Sequence, residues 1–203
     1  MDDQYRTIDK SSTAELKVKG SRFIARVDLV SSVAEANEKL NHIRKEEHAA
    51  THNCYAYVVG TPADKAEFKY SDDGEPNGTA GKPIYDVVTG SGVTNLLLVV
   101  TRYFGGTKLG TGGLVKAYSE AARLALESAG VKEQFITDRV KVEIEFSAYD
   151  NLVKALSRLG ARQIKADFSD IVSLELEIRQ SKTAQLVGEI TELSKGKAKV
   201  EKV

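Results

Sequence analysis

The stretch NLLLVVTRYFGGTKLGTGGLVKAYSEAAR, residues 95–123, decides the fold. Its first part, Leu96–Val100, has five consecutive apolar residues without alternation, which predicts a buried strand covered on both faces. A polar and aromatic turn follows at Thr101–Phe104, then five glycines between Gly105 and Gly113, and then a long helix. Because glycine adopts positive φ and lets another backbone or a ligand come close, this density predicts a shaped surface loop.

The composition predicts a globular protein of one large domain or two small ones. The chain has 203 residues, of which 41% are hydrophobic. Lys plus Arg and Asp plus Glu both total 29, so net charge gives no argument for nucleic acid, membrane or an acidic substrate. The single cysteine, Cys54, cannot form an internal disulfide, and no N-terminal apolar run resembles a signal peptide or a membrane span. We expect a cytoplasmic protein with no membrane partner.

The first third of the chain shows a hairpin and a helix. Residues 1–12 are polar, and we expect them to be frayed. Strand-like residues over Thr13–Val30, interrupted at Gly20-Ser21, predict a hairpin with its turn at that pair. A helix is predicted to follow as far as about residue 47, with Ser32 and Glu35 forming a capping box.

A strand and an irregular loop come next. The segment HNCYAYVVG, His52–Gly60, has strand composition, and a turn is predicted at residues 61–64. The segment SDDGEPNGTAGKP, Ser71–Pro83, is too rich in turn formers to be regular. Thr79 is predicted to cap a helix that ends at Gly90.

The pattern changes to strict alternation from Asp138, which predicts a strand with one face in water. The inward residues of this strand are Val140, Val142, Ile144 and Phe146. The elements that follow give the order βαββαβ, a ferredoxin-like plan. We therefore predict an α+β protein with a linker near Val131–Thr137, an N-terminal domain at 1–134 and a C-terminal domain at 138–203.

The glycine loop does not match the two common phosphate-binding motifs. Gly105 and Gly110 have the spacing of a Walker loop, but Thr111 and Gly112 stand where Lys and Ser or Thr are required. A dinucleotide fingerprint would need its third glycine at Val115, and no acidic residue lies about 20 positions further on. Two interpretations stay open: an anion site made by free N–H groups at a helix start, or tight packing of the strand on the helix.

Charged and aromatic residues surround this loop. Arg102, Lys108 and Lys116 are close in sequence and would contact a phosphate. Tyr103 and Phe104 would either stack on bases or fill a core. The candidate anion- or nucleic-acid-binding residues are Arg102, Tyr103, Phe104, Gly105, Gly106, Lys108, Gly110, Gly112, Gly113 and Lys116.

Three carboxylates in four positions, Asp72, Asp73 and Glu75, suggest a metal hypothesis. A calcium loop that starts at Asp73 fails, because its twelfth position is Ile84 where a bidentate Glu is needed. Magnesium held with groups from elsewhere stays open. The alternative that we favour is that the acids make turn hydrogen bonds or pair with Lys82, Arg102 or Lys108, and we predict no bound metal. The candidate pocket residues are His52, Asp72, Asp73, Glu75, Gly78 and Lys82.

His48, His52 and Cys54 form a sparse set for zinc or for nucleophilic catalysis. On the predicted strand, Cys54 shares its face with Ala56 and Val58, so we interpret it as a small core residue. His52 stands at the end of the strand, where it would face the acidic loop.

Three separated segments carry a resemblance to a known family. HNCYAYVVG, SDDGEPNGTAGKPI and VVTRYFGGTKLGTGGLVKAYSEA occur in this order and together resemble the Impact/YigZ family over most of residues 15–130. VVTRYFGGTKLG matches that family's signature in particular. The tail from about Asp138 is similar to the small C-terminal domain of the bacterial members.

The resemblance implies both a fold and a function. It implies an N-terminal two-layer α/β domain, of the type in a small-subunit ribosomal protein and in the fourth domain of elongation factor G. The C-terminal domain would resemble the fifth domain of that factor. By this analogy the expected role is non-enzymatic translational regulation through the ribosome, structured RNA or a translation factor, with no cofactor.

An enzyme is the alternative. In this hypothesis a metal-dependent hydrolase or phosphoryl-transfer enzyme acts on a nucleotide or phosphodiester. Asp72, Asp73 and Glu75 would hold magnesium or act as base, and His52 would assist. If the Ser71–Pro83 loop and the Gly105–Gly113 loop meet at one cleft with His52, the site is real under either hypothesis; if they lie far apart, both motifs are structural.

Overall fold

A computed structural model describes residues 3–61 and 64–203, so the turn predicted at residues 61–64 lies partly outside the described residues. The chain divides into two compact units. One comprises Tyr5–Gln134; the other comprises Phe135–Val203 together with the described residues up to Gln4. The elements as far as the boundary are β1 Gln4–Ile8, β2 Ser12–Val18, β3 Ser21–Leu29, α1 Val33–Glu46, β4 His52–Val59, β5 Glu67–Ser71, α2 Gly81–Ser91, β6 Leu96–Tyr103, α3 Thr111–Ala129 and β7 Val131–Phe135.

A five-stranded sheet forms the centre of the Tyr5–Gln134 unit, with the strand order β2-β3-β6-β4-β5 and antiparallel neighbours throughout. Successive residues of β6 enter different cores, because strand side chains alternate between faces. Leu96, Leu98 and Val100 pack with α2 and α3. Leu97 and Val99 pack with α1. The prediction of a strand covered on both faces is therefore confirmed.

Helix α1 corrects the expected two-layer arrangement. It buries Ala36, Leu40 and Ile43 against the sheet face that carries Tyr55 and Tyr57. The opposite face is covered by α2 and α3. The unit therefore has three layers, with the sheet in the middle. Its specific likeness to a ribosomal protein or to an elongation-factor domain stays a prediction.

The register of the central strands places the ends of two motifs side by side. Arg102 of β6 stands opposite His52 of β4 and, on its other side, opposite Phe23 of β3. The two strands are antiparallel, so the start of β4 and the end of β6 lie at the same end of the sheet. Strand β6 extends to Tyr103, so the predicted turn at Thr101–Phe104 is for the most part strand.

Two predictions near the ends of the first unit are wrong. Residues 1–12 are not frayed where described, because Gln4–Ile8 forms a strand that pairs with β7 and Ile8 is fully buried. The predicted linker, Val131–Thr137, includes the boundary between the two units, but it is not irregular, because it contains β7 and the start of the next strand. Both errors have one cause: β1 and β7 pair across more than 120 residues, which local patterns do not show.

The hairpin and the first helix follow the sequence closely. Lys19 and Gly20 have φ values of 47° and 82°, so the turn lies one residue earlier than predicted and Ser21 belongs to β3. Ser32 caps α1 by accepting from the Glu35 N–H at 3.1 Å, as predicted. The Glu35 carboxylate accepts from the N–H of Ser31, so the reciprocal bond is made one residue earlier than in the standard capping box.

The start and the end of α2 differ from prediction. Thr79 does not cap the helix, because its hydroxyl donates to the Pro76 carbonyl at 2.6 Å. The helix continues past Gly90 and ends at Gly92, which adopts the left-handed conformation.

The second unit has the predicted βαββαβ order, the order of a ferredoxin-like plan. Its antiparallel sheet has the strand order β11-β8-β10-β9 and its own hydrophobic core. Phe146 does not continue β8 as predicted but begins α4, and it is 53% exposed. The elements are β8 Thr137–Ile144, α4 Phe146–Leu159, β9 Arg162–Phe168, β10 Val172–Arg179, α5 Gln180–Leu193 and β11 Lys199–Lys202.

Candidate functional site

The acidic loop and the glycine loop meet in one cleft with His52. The cleft has a volume of about 410 Å³. It lies beyond the strand ends of the central sheet, where β4 begins and β6 ends. Its lining residues are Thr51, His52, Glu75, Pro76, Arg102, Phe104, Lys108, Leu109, Gly110, Thr111 and Leu114. The condition that both functional hypotheses share is therefore met.

A buried ion pair forms one wall of the cleft. Arg102 Nη1 donates to Glu75 Oε1 at 2.5 Å, and the two residues are only 5% and 8% exposed. Burial of both charges is tolerable because they neutralise each other. The Arg102 charge is thus already paired, which changes its expected role as a direct phosphate contact. Its Nε–H has no acceptor among the described residues.

Tyr118 completes this wall from helix α3. Its hydroxyl donates to Glu75 Oε1 at 2.8 Å, the same oxygen that Arg102 contacts. Burial raises the pKa of the Tyr118 phenol well above its usual range, so the hydroxyl keeps its proton. The sequence reasoning missed Tyr118. The available signal was a phenol on the buried, alanine-rich stripe of a helix, where a hydroxyl needs a partner.

The ring of His52 has a defined tautomer when it is neutral. Its Nδ1 lies 2.8 Å from the backbone oxygen of Asp73. A carbonyl oxygen only accepts, so Nδ1 carries the proton. The other nitrogen, Nε2, is then the ring's acceptor and lies 3.8 Å from Glu75 Oε1. The sequence placed His52 facing the acidic loop, and the structure agrees.

Asp72 caps helix α2 from outside the helix. Its Oδ1 accepts from the N–H groups of Ala80 and Gly81 at 2.9 and 2.8 Å, and its Oδ2 accepts from Gly78 N–H at 2.9 Å. A Cβ on Gly81 would lie 2.5 Å from the Ser71 carbonyl carbon, so this glycine permits the close approach of the loop to the helix. Asp72 and Gly78 therefore shape the loop.

Asp73 holds the loop against the sheet. Its Oδ2 accepts from Asn53 N–H at 2.7 Å, and its Oδ1 accepts from Arg44 at 2.8 Å. Lys82 contacts none of the three acids of the loop, because it pairs with Asp86 in the same helix. Over residues 3–61 and 64–203, no three His, Cys, Asp or Glu side chains are arranged to hold a metal ion. The acids make turn hydrogen bonds and two ion pairs, Asp73 with Arg44 and Glu75 with Arg102, which is close to the interpretation that we favoured.

Cys54 is a core residue behind the cleft. It is fully buried, and its Sγ lies 2.9 Å from the Asp72 carbonyl oxygen and 3.4 Å from the Tyr118 hydroxyl. Burial raises the pKa of the thiol well above its usual range, and nearby carboxylates add to this effect. A thiol that stays protonated is neither a nucleophile nor a zinc ligand, so the interpretation of Cys54 as a small core residue is confirmed.

The five glycines of the loop have different roles. A Cβ on Gly105 would lie 1.9 Å from the carbonyl carbon of Gly20, so Gly105 permits the loop to pack against the β2–β3 turn. Gly106 and Gly110 have φ values of 85° and 72°, which favour glycine. A Cβ on Gly112 would meet nothing within 4 Å. Tight packing thus explains Gly105, whereas no close packing explains Gly112, which does not itself line the cleft.

Helix α3 presents an uncapped N-terminus to the cleft. Its cap residue, Gly110, offers no side chain, and its first turn contains no acidic residue. The first backbone bond of the helix is from Leu114 N–H to the Gly110 carbonyl, so the three N–H groups of Thr111–Gly113 have no acceptor among the described residues. These groups carry the positive end of the helix dipole.

The two lysines of the candidate set differ. Lys108 lines the cleft, is exposed and makes no ion pair with the described residues. Lys116 is also exposed but does not line the cleft. It is two positions beyond the lining residue Leu114, which places it about 200° around the helix. Lys108 is therefore the basic side chain that the structure leaves free at the site.

The two aromatic residues of the candidate set also differ. Tyr103 donates its hydroxyl proton to Glu47 at 2.6 Å, and the Arg22 guanidinium lies 4.8 Å from its ring centroid. Both contacts occupy Tyr103 within the protein. Phe104 lines the cleft and is 47% exposed. Phe104 is therefore the aromatic ring that remains open to a ligand.

Comparisons with known proteins agree with one another. Residues 19–126 match the family described as "Impact N-terminal domain". "IMPACT family member YigZ" of Escherichia coli is 34% identical over 180 residues, covering 89% of this chain and 88% of that protein. "IMPACT family member YvyE" of Bacillus subtilis is 34% identical over 196 residues, covering 97% and 89%. The crystal structure of a hypothetical protein, 30% identical, gives a TM-score of 0.73 and covers 100% of this chain and 98% of its own.

Within the part of the chain that the structure describes, no helix combines the length and apolar character needed to cross a bilayer.

Proposed function

This chain belongs to the Impact family, and from that premise we propose that it is a non-enzymatic protein that binds a phosphate group of RNA at the start of α3. The RNA would belong to the translation apparatus, on the ribosome or in complex with a translation factor. Such a partner is consistent with the cytoplasmic location expected from the sequence. The observation that carries the proposal is the uncapped N-terminus of α3, which opens into a cleft shared by two motifs.

The chemistry of the helix start suits a phosphate. Three free N–H groups at one helix end, together with the dipole of a 19-residue helix, attract an anion. The first turn of the helix contains no acidic side chain that would repel an anion. Lys108 adds an exposed positive charge to the lining of the cleft. Gly112 carries no side chain that would obstruct a phosphate at the helix start.

The proposal revises the expected contacts. The backbone of Thr111–Gly113 and the side chain of Lys108 would bind the phosphate, and Phe104 would contact a base. Arg102 and Tyr103 would support the site from within, because each is occupied by the protein's own side chains. We do not propose the metal-dependent hydrolase, since Asp72, Asp73 and Glu75 all accept hydrogen bonds from their own chain.

The test uses an acid placed at the helix start. Thr111→Asp adds a negative charge at the first helical position, where it stabilises a helix but repels an anion. We expect the variant to be as stable as the wild-type protein and to bind structured RNA at least tenfold more weakly. Lys108→Ala should weaken binding and reduce the slope of log affinity against log salt by about one. Titration of fluorescent RNA at several salt concentrations measures both effects.

Lys10→Ala is the matched control. Lys10 is an exposed lysine of the same unit, and its N–H donates to the carbonyl of Ala129 at the far end of α3. That end lies about 27 Å from the start of the helix at Thr111, given the 1.5 Å rise per residue of a helix. RNA binding should be unchanged in this variant. If Thr111→Asp and Lys108→Ala bind RNA as the wild-type protein does, the cleft is not the RNA contact and the proposal is wrong.

A further inference from the structure

The cleft is also informative about the form in which a phosphate would enter it. We infer that it takes one unpaired nucleotide, with the phosphate at the start of α3 and the base against Phe104. This inference rests on the proposed function and adds the chemical class of the ligand, a nucleoside monophosphate group. The group could come from a free nucleotide or from an unpaired position in an RNA strand.

The size of the cleft suits a single nucleotide. The cleft volume of about 410 Å³ lies in the range of small-molecule sites. A double-stranded RNA would meet this surface with its backbone alone, because a helix cannot enter a cleft of this volume. A single base with its sugar and phosphate can enter it. The geometry therefore favours an unpaired nucleotide.

The lining of the cleft divides into a polar part and an apolar part. Lys108, Thr111 and the open backbone at the start of α3 form a polar and positively charged part. The apolar part consists of Pro76, Phe104, Leu109 and Leu114. A nucleotide has the same division, since its phosphate is charged and its base has two apolar faces.

Arg102 supports a bound ligand independently of the helix. This residue lines the cleft and is 95% buried, yet its Nε–H has no acceptor among the described residues. Buried N–H groups in native proteins nearly always have an acceptor. An oxygen of a bound ligand would supply the missing one. The Nη1 atom of the same guanidinium stays on Glu75.

Phe104 offers a base an exposed ring on which to stack. The Arg102 guanidinium carbon lies 5.5 Å from the Phe104 ring centroid, which holds the ring at the edge of the cleft. Nearly half of the residue is exposed. A base that stacks on this ring covers apolar surface that is otherwise in water.

The experiment compares two ligands and three variants of the full chain. Inorganic phosphate probes the helix start alone, and adenosine monophosphate probes the whole cleft. Phe104→Leu should weaken adenosine monophosphate binding about tenfold, the effect of losing one stacked base, and leave phosphate binding unchanged. Thr111→Asp should weaken both ligands. Phe68→Leu should change neither, because Phe68 is an exposed aromatic that stacks on Tyr85 and does not line the cleft.

Competition against fluorescent single-stranded RNA identifies the source. Weaker binding of adenosine monophosphate than of the strand indicates an unpaired position in RNA, and equal binding indicates a free nucleotide. The inference is overturned if Phe104→Leu binds adenosine monophosphate as the wild-type protein does, or if duplex RNA competes as well as single-stranded RNA. If Thr111→Asp still weakens RNA binding at least tenfold in that case, the proposed function stands without the nucleotide. Unchanged RNA binding by Thr111→Asp refutes the proposed function itself.

Discussion

One carboxylate oxygen, Glu75 Oε1, organises the buried side of the cleft. It accepts from Arg102 and from Tyr118, and His52 Nε2 lies 3.8 Å away. These residues come from β6, α3 and β4. A single acidic side chain in an irregular loop therefore joins three elements of the fold.

Removing the charge of Glu75 should destabilise the protein strongly. Glu75→Gln leaves the buried Arg102 guanidinium without a counter-charge, which costs about 3–5 kcal/mol. Urea unfolding followed by circular dichroism measures the difference. Glu67→Gln on the exposed edge strand is the matched control and should change stability by less than about 0.5 kcal/mol. A loss below about 1 kcal/mol for Glu75→Gln would show that the ion pair is not needed to keep Arg102 buried.

Cys54 should resist alkylation in the folded protein. The reactive form of a thiol is the thiolate, and burial raises the pKa of this one well above its usual range. At pH 8 we expect iodoacetamide to leave native protein unmodified over hours and to modify unfolded protein completely. Mass spectrometry distinguishes the two states. Rapid modification of native protein would contradict both the burial of Cys54 and its role as a core residue.

Sequence reasoning at the residue scale succeeded where interactions are local. The acids of the Ser71–Pro83 loop were expected to make turn hydrogen bonds, and Asp72 does so with neighbours six to nine residues away. It was incomplete where a partner is remote. Pairing of an acid with Lys82, Arg102 or Lys108 was expected, but the choice of Glu75 and Arg102, 27 residues apart, depends on how β4 and β6 align.

The glycine loop illustrates the element scale, because its glycines serve unlike purposes. Gly105 lies against the β2–β3 turn, whereas Gly112 faces open space at the helix start. The sequence predicted a shaped loop but left packing and anion binding open. The close packing of Gly20 against Gly105 shows that packing explains Gly105, and Gly20 is 85 residues earlier in the chain.

Substitution by alanine should raise the stability of the protein at Gly112 and lower it at Gly105. Gly112→Ala should raise stability by up to about 1 kcal/mol, because alanine is the better helix former and nothing obstructs its Cβ. Gly105→Ala should lower stability by about 1–3 kcal/mol, because its Cβ would overlap the Gly20 backbone. Thermal unfolding of both variants provides the comparison. Equal effects would contradict the separate roles of the two glycines.

Helix boundaries were predictable where the capping group is adjacent in sequence. Ser32 lies three residues before Glu35, so the start of α1 could be read directly. The start of α2 could not be predicted, since its N–H groups are capped by Asp72, which is eight residues before Ala80. Thr79 has the correct residue type for a cap but bonds to Pro76 instead.

At the scale of the whole molecule, the apolar run of β6 was the better guide to the first unit. It predicted a strand covered on both faces, which is observed, whereas the two-layer domain implied by resemblance is not. The strand pairing of Gln4–Ile8 with Val131–Phe135 was invisible, because neither segment has a strong local pattern. The βαββαβ order of the second unit was predictable, because alternation and helical stripes are clear there.

Asp3 should stabilise the second unit although it is remote in sequence. Its carboxylate accepts from Arg179 at 2.9 Å and from Ser181 N–H at 3.0 Å, and these bonds hold the pKa of Asp3 well below its usual range. A lowered pKa means that the stabilisation is present above the unfolded-state pKa, about 3.8, and is lost as pH falls through the folded-state pKa. Asp3→Asn should therefore destabilise the protein at pH 7, because it removes the charge that accepts from Arg179 and Ser181.

The test of Asp3 compares urea unfolding at pH 7 and pH 3, with the exposed Asp9→Asn as the control. The difference between Asp3→Asn and the wild-type protein should shrink at pH 3. We also propose that the predicted domain at 138–203 folds by itself but less stably than in the full chain, because the fragment lacks Asp3. Equal stability of Asp3→Asn and the wild-type protein at pH 7 would refute this account.

The central claim is that the N–H groups at the start of α3 bind phosphate. The most direct measurement is a phosphate titration of ¹⁵N-labelled protein by NMR, following the amides of Thr111, Gly112 and Gly113. Helix α4 provides an internal comparison, because its start also lacks a side-chain cap, whereas its N-cap residue is the acidic Glu145, which disfavours an anion. We expect saturable shifts at residues 111–113 and no comparable shifts at residues 146–148. Unmoved α3 amides, or equal shifts at both helix starts, would contradict the claim.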